Sequence, residues 1–251
     1  MIKQKVEYKN AYWICGKHSV IECARNNKRK ILKIVLSNEQ NKKLFNSSLI
    51  KKIEIQNNSY FNKIVQQQDV PHQGFALQTI PLSNLVLKEH INNLNNIVAL
   101  DGVTDPRNIG SIIRSCLAFN IDGIILNSRE VDLKSLAMNK AASGSIENIK
   151  IFMVSNIINE IKILKNNNFW INGFDSHAQQ NIEECFWSKK NVFIFGSEST
   201  GIKQLIKKNC DTLLKISINQ KIDSLNVSNS VSAALAIYNS KSSKFVNNSG
   251  K

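Results

Sequence analysis

From residue 97 onward the sequence alternates two kinds of segment, and that alternation constrains the fold more than any other feature. Short runs are almost wholly apolar: "NNIVAL", "DGIILN", "IKIFMV", "FWINGF", "NVFIF" and "TLLKISI". Between them lie stretches with helical spacing: "NIGSIIRSCLAF", "LKSLAMNKAAS", "SNIINEIKILKNN", "TGIKQLIKKN" and "VSNSVSAALAIYNS". A strand that is apolar on both faces must be covered on both faces, and helices between successive strands supply that cover. The expected class is therefore α/β with a parallel sheet. Ser155 reads as the N-cap of the third helix. In such sheets ligands sit beyond the carboxyl ends of the strands, so the loops that follow strands are where chemistry is sought.

The region before residue 80 has a different character. "GKHSVIECARNN" reads as a helix, "KILKIVLSN" as a strand, "SLIKKIEIQNN" and "QGFALQTI" as further strand material, with a turn at "VPHQGF". This predicts a small α/β module over 1–80. The polar, Asn-rich stretch "IPLSNLVLKEHINNLNN" separates it from the rest and reads as a linker over 81–96, with room for a short helix. The second domain then runs over 97–251.

Charge distinguishes the two regions. The chain carries 33 Lys+Arg and 19 Asp+Glu, a net charge of +14. Residues 1–80 hold 14 of the basic and 5 of the acidic residues, a balance of +9, leaving +5 for the remainder. A general bias toward lysine raises the whole chain but does not create this asymmetry. A basic first third is the electrostatic footprint of a polyanion-binding surface. The five cysteines, at 15, 23, 116, 185 and 210, form no C-x-x-C pair and no zinc-ligand spacing with histidine. They read as reduced core residues, which points to a cytoplasmic protein. "MIKQKVEYKN" has no apolar segment of a secretory signal, and no run of 18 apolar residues suggests a membrane span.

Three post-strand loops stand out. "LDGVTDPRNIGSIIRS", 100–115, opens a helix without a G-x-G-x-x-G or G-K-[ST] cradle, which disfavours a dinucleotide or P-loop site. Asn108 is placed to cap that helix. Ile109, Ile112, Ile113 and Cys116 form its apolar stripe, and Arg114 lies about 140° round from Ile109, off the core face. "FIFGSESTGIKQL", 193–205, ends a strand at Gly196 and places Glu198 in a Ser-rich turn; glycine there lets a ligand or backbone approach closely. "SLNVSNSVSAALA", 224–236, presents Ser224, Leu225 and Asn226 before a helix whose stripe is Val227, Val231, Ala234, Leu235 and Tyr238. Singly, these are a helix cap, a solvated arginine, an exposed glutamate and a polar helix start.

Taken in order, "DGVTDPRNIGSIIRS", "FGSESTGI" and "SLNVS" resemble the three motifs of the SpoU (TrmH-type) RNA ribose 2′-O-methyltransferases of the SPOUT superfamily. The resemblance covers about 97–240. "GKHSVIE" and "PHQGFAL" are similar to that family's small RNA-binding domain, which is like ribosomal protein L30e. The resemblance implies an RNA substrate-binding domain, a linker and a trefoil-knotted catalytic domain, assembled as a homodimer with the active site near the subunit interface. It implies methyl transfer from S-adenosylmethionine, without a metal, to a ribose 2′-OH. The sub-type most resembled acts on a guanosine of 23S rRNA. The tRNA guanosine enzyme and a non-catalytic RNA-binding protein on this fold are the alternatives.

By position, the resemblance assigns Asn108, Arg114, Glu198, Ser224 and Asn226 to catalysis. Gly196, Ile216 and Leu225 fall to the methyl donor, and the helix behind "SLNVS" to the subunit interface. Lys17, Arg25, Arg29, Lys30 and His72 are the candidate RNA contacts of the basic region. Arg114 can act by stabilising the developing alkoxide or as a base; its high intrinsic pKa favours the former. Two positions depart from the family pattern, Ser217 in place of proline and Gln220 in place of glycine.

Overall fold

Parallel strands cannot be joined by tight turns, so a chain that builds a parallel sheet must spend a crossover segment on each connection. The computed structural model describes residues 10–66, 70–219 and 221–248, with side chains to residue 241. Its contacts group into two units, 1–83 with 132–148, and 84–131 with 149–251.

The chain begins in the first unit with β1 (Tyr12–Cys15), α1 (Lys17–Arg25), β2 (Ile31–Leu36), α2 (Ser47–Ile50), β3 (Ile53–Ile55), α3 (Asn58–Val65) and β4 (Phe75–Thr79). The four strands form one sheet in the order β1-β4-β2-β3. β4 runs antiparallel to both its neighbours, and β2 pairs with β3 in parallel. The stretch "SLIKKIEIQNN" is a short helix followed by a three-residue strand, not strand throughout: the lone alternation at Ile53–Ile55 is all that pairs with β2.

The second unit opens with α4 (Leu87–His90), β5 (Asn96–Asp101), α5 (Pro106–Ala118) and β6 (Gly123–Asn127). Residues 132–148 belong to the first unit and contain α6 (Leu136–Ala142). The second unit resumes with β7 (Lys150–Val154), α7 (Ile157–Lys165), β8 (Trp170–Phe174), β9 (Gln180–Asn181), β10 (Asn191–Gly196), α8 (Gln204–Lys207), β11 (Thr212–Lys215) and α9 (Val227–Asn248). Its seven strands lie in the order β7-β6-β5-β10-β8-β11-β9, and every pair is parallel. The expected parallel α/β sheet is present, and its central strands are buried on both faces, as at Ile97–Leu100 and Val192–Phe195.

Three local expectations are corrected. Asp105, not Asn108, caps α5: its carboxylate accepts from the N–H groups of Arg107 (2.6 Å) and Asn108 (3.2 Å), with Pro106 in the first turn. Proline at N1 lacks a donor the helix would leave unused anyway, so an Asp-Pro start is favourable. Asn156, not Ser155, caps α7, accepting from Ile158 N–H at 3.0 Å. The stretch expected as a linker instead places Leu87, Ile91 and Leu94 in the second unit's core, beside Ile97 and Ile194. Each such apolar side chain contributes about 1.5–3 kcal/mol by leaving water.

Candidate active site

The register of the second sheet aligns four strand ends. Gly196 pairs with Asp101, Phe195 with Phe174, and Leu214 with Phe174. The loops that follow β5, β8, β10 and β11 therefore leave the sheet on one edge. Beyond β5 stand β6 and β7; beyond β10 stand β8, β11 and β9, so the chain order reverses between β5 and β10, the place where open α/β sheets bind ligands.

After β10 the chain makes a tight turn. Ser197 bridges Gly201, whose N–H donates to Ser197 O at 2.9 Å. A Cβ on Gly196 would lie 1.9 Å from Gly201 C and 2.1 Å from Gly201 O, so no side chain fits there. The turn is anchored from below by buried Asp101, which accepts from Lys203 N–H at 2.8 Å and Lys203 Nζ at 3.0 Å.

The turn carries Glu198 to the start of α9. Glu198 Oε1 accepts from Asn226 Nδ2 at 2.6 Å, Asn108 Nδ2 at 3.3 Å and Val227 N–H at 3.3 Å. Asn226 Nδ2 also donates to Asn108 Oδ1 at 3.1 Å. Asn226 Oδ1 faces the other way and caps α9, accepting from Ser228 N–H (3.0 Å), Ser228 Oγ (2.6 Å) and Asn229 N–H (3.4 Å). One asparagine thus serves as helix cap and as the link between the glutamate and a second helix. A carboxylate at the N-terminus of α9 also meets the favourable end of the helix dipole.

Beside this triangle lies a cavity of about 470 Å³. Gly196, Glu198, Ile216, Ser224 and Leu225 all line it, with Phe174 and Leu214 adding apolar surface and Asp175, His177 and Lys207 adding polar groups. Its size falls in the roughly 300–1,000 Å³ range of small-molecule sites. Asp175 is paired with Lys207 and accepts from His177 N–H at 3.0 Å. Burial alone would raise the Asp175 carboxyl; the Lys207 ammonium and the His177 amide outweigh it and hold it below the usual range. Ser217 reaches Asn181 Oδ1 at 3.3 Å, while Gln220 lies outside the described residues.

Arg114 makes none of these contacts. It is exposed, roughly 9 Å further along α5 from Asn108 by helical rise, and among the described residues no hydrogen bond or ion pair engages it. α9 packs on α5 of the same chain, with the Ser115 and Ser232 hydroxyls 2.8 Å apart. Ser232 and the buried Ala234 are thus used within the chain, while Ala236 on the same helix is exposed.

In the first unit, the candidate RNA contacts separate. Lys17 and Lys30 are exposed, and Arg25 is exposed with Glu22 at 2.8 Å. Arg29 is corrected: its side chain is 2% exposed, paired at 2.8 Å with a Glu147 that is 4% exposed. It also donates to the Tyr12 hydroxyl at 2.8 Å and Ile80 O at 3.2 Å. Burial would lower its pKa, but the Glu147 carboxylate more than compensates and the guanidinium stays charged. With its side chain buried and its donors on Glu147, Tyr12 and Ile80, Arg29 is not placed to meet a phosphate. His72 is also structural: it stacks on Phe61 at 4.6 Å and accepts from Gly74 N–H at 3.0 Å. Burial, and then the nearby Lys140, lower its pKa below the usual imidazole value.

The model of the SpoU rRNA Methylase family matches residues 95–238, more than half of the chain. The chain belongs to this family. A second model, RNA 2′-O ribose methyltransferase substrate binding, matches residues 13–85 of this SpoU protein. An uncharacterized tRNA/rRNA methyltransferase of Borreliella burgdorferi is 34% identical over 204 residues, 76% of this chain and 87% of that protein. Two solved structures share the fold. The SpoU methyltransferase AviRb from Streptomyces viridochromogenes, in complex with AdoMet, superposes with a TM-score of 0.76 at 15% identity, covering 95% of this chain and 93% of its own. An rRNA methyltransferase from Sinorhizobium meliloti gives 0.76 at 22% identity, covering 94% and 89%.

Sequence reasoning missed Asp101, Asp105, Asp175, His177 and Lys207. The Asp-Pro pair at 105–106 is a legible cap signal. Asp101 and Asp175 carry a weaker one, each being polar at or just past the carboxyl end of an apolar strand. Lys207 has none. Among the described residues no group of three or more His, Cys, Asp and Glu could hold a metal, and no helix is long and apolar enough to cross a membrane.

Proposed function

We propose that this SpoU-family chain methylates the 2′-OH of a guanosine ribose in 23S rRNA, using S-adenosylmethionine as donor. The observation that carries the reading is the Asn108–Glu198–Asn226 triangle, closed by bonds of 2.6–3.3 Å at the edge of the cavity. The cavity suits the donor. Apolar walls at Phe174, Leu214, Ile216 and Leu225 accept an adenine, and the polar groups at its rim accept a ribose and an amino acid. S-adenosylmethionine supplies a methyl group already activated on a sulfonium, so the protein's task is to align and activate the hydroxyl.

In this mechanism Glu198 fixes the Asn226 and Asn108 amides, which with Ser224 orient the ribose. Arg114 stabilises the developing alkoxide electrostatically, while an RNA phosphate or water accepts the proton. An exposed arginine with no hydrogen bond or ion pair among the described residues fits a homodimer that completes the site at the subunit interface. The second unit carries the trefoil knot of the SPOUT fold, and the first unit binds structured RNA through Lys17, Arg25 and Lys30, mostly at phosphates. The cytoplasm supplies both RNA and donor.

Ribose-methylation mapping of total RNA after reaction in vitro tests the substrate. A single new guanosine mark in 23S rRNA is expected; a mark confined to tRNA, or none, overturns it. Arg114→Ala should abolish transfer while S-adenosylmethionine still binds by calorimetry, and near-normal turnover would sink the mechanism.

A further inference from the structure

Gln73 occupies a sharp corner of the first unit, with φ of +55°, followed by Gly74 at +74°. This left-handed backbone is uncommon for a residue with a side chain. The corner turns the Gln73 amide onto two donors. Its Oε1 accepts from Lys140 Nζ at 2.6 Å and from Lys17 N–H at 3.2 Å. Lys17 is the first residue of α1, whose N-cap, Gly16, supplies no side-chain bond. The Lys140 stem lies across Gly16 so closely that a Cβ there would meet Nζ at 2.5 Å and Cδ at 2.9 Å. The stem is thus packed in place by a glycine.

Lys140 is half-buried, and burial lowers its pKa. Among the described residues no carboxylate pairs with it; its hydrogen-bond partner is a neutral amide. A partly desolvated ammonium without a counter-charge is an incomplete arrangement. With Gln73 Oε1 taken by two donors, the donors left over are the NH₂ of exposed Gln73, the remaining N–H groups of half-buried Lys140 and the exposed Lys17 side chain. All of them donate, and two are cationic. The complement of such a surface is an oxyanion.

The geometry points to a seat for one RNA backbone phosphate, formed by Lys140, Lys17 and the Gln73 amide. The inference rests on the RNA substrate proposed above. It adds a residue that the basic region of 1–80 does not contain, because 132–148 folds into the first unit.

Full-length Lys140→Met keeps the packed stem and removes the charge; Lys140→Arg keeps the charge. Affinity for a 23S rRNA fragment is measured across a salt series, with S-adenosylmethionine affinity and thermal melting alongside. One phosphate contact contributes about 0.7–0.9 to the slope of log K against log salt, or about five- to eightfold in affinity at 0.1 M. The expected result is that loss in Lys140→Met, a wild-type slope in Lys140→Arg, and unchanged donor affinity in both. A purely structural lysine would not move the slope. A wild-type slope in Lys140→Met, or equal loss in Lys140→Arg, overturns the inference. Should Lys140→Met not fold, Lys17→Gln reads the same slope. If inorganic phosphate binding is lost in Lys140→Met while the RNA slope is unchanged, the seat serves a small anion and the RNA assignment fails. Wild-type protein that binds no RNA refutes the proposed function instead.

Discussion

Replacing Asn226 by aspartate separates its two jobs. The carboxyl can still cap α9, because Ser228 and Asn229 need only an acceptor. It cannot donate, and it places an oxygen where Nδ2 stood, 2.6 Å from Glu198 Oε1. Two unit charges at that distance repel by about 1.6 kcal/mol at the dielectric of water and about 6 kcal/mol at an effective dielectric of 20. Both residues are exposed, so the cost falls toward the lower figure, about 2 kcal/mol once the lost hydrogen bond is added. The sign with pH follows from the repulsion. The introduced carboxyl holds its proton to higher pH when folded than when unfolded, so the folded state binds more protons and stability falls as pH rises through that window. Urea unfolding at pH 4.5 and 7 should therefore show the Asn226→Asp defect growing toward neutrality. Asn226→Ala, which loses the cap at about 1 kcal/mol, should show a defect nearly independent of pH. Adding Glu198→Gln to Asn226→Asp should recover most of the loss at pH 7. A pH-independent defect, or no recovery in the double variant, refutes the claim that these two side chains meet as described.

Gly196→Ala should abolish transfer and destabilise the second unit by more than the 1–3 kcal/mol usual for overpacking, because the obstacle is the Gly201 backbone; melting and donor titration check it. Arg29→Met should cost about 3–5 kcal/mol by leaving Glu147 charged and buried, and Arg29→Met with Glu147→Leu should regain much of it in denaturant titration. Asp175 has a lowered folded pKa, so its contribution is present above the unfolded value near 3.9 and is lost as pH falls through the folded one; Asp175→Asn should flatten that acid limb of the stability curve. Mixed protomers of Arg114→Ala and Glu198→Ala, each inactive alone, should regain activity if the dimer completes the site, and a mixture that stays inactive places the site within one chain.

The alternation of apolar strands with helices was legible because it is a local pattern with a direct consequence: strands without a polar face must be covered on both sides, as Ile97–Leu100 and Val192–Phe195 are. The buried stripes of α5 and α9 followed from helical periodicity in the same way. Local pattern also marked Gly196 and Asn226, since a glycine at a strand end and a polar helix start are visible without a partner. What those residues touch was not legible. Asn108 and Glu198 lie far apart in sequence, and parallel register alone puts their loops on one edge of the sheet. Arg29 and Lys140 show the limit most clearly. By charge Arg29 looked like an RNA contact and Lys140 like part of another domain. Glu147 and the packing of 132–148 onto the first unit decide otherwise, by turning Arg29 inward and leaving Lys140 half-buried with no carboxylate partner among the described residues. Composition counts charges; their accessibility is set by contacts between distant segments, and only the tertiary structure supplies those.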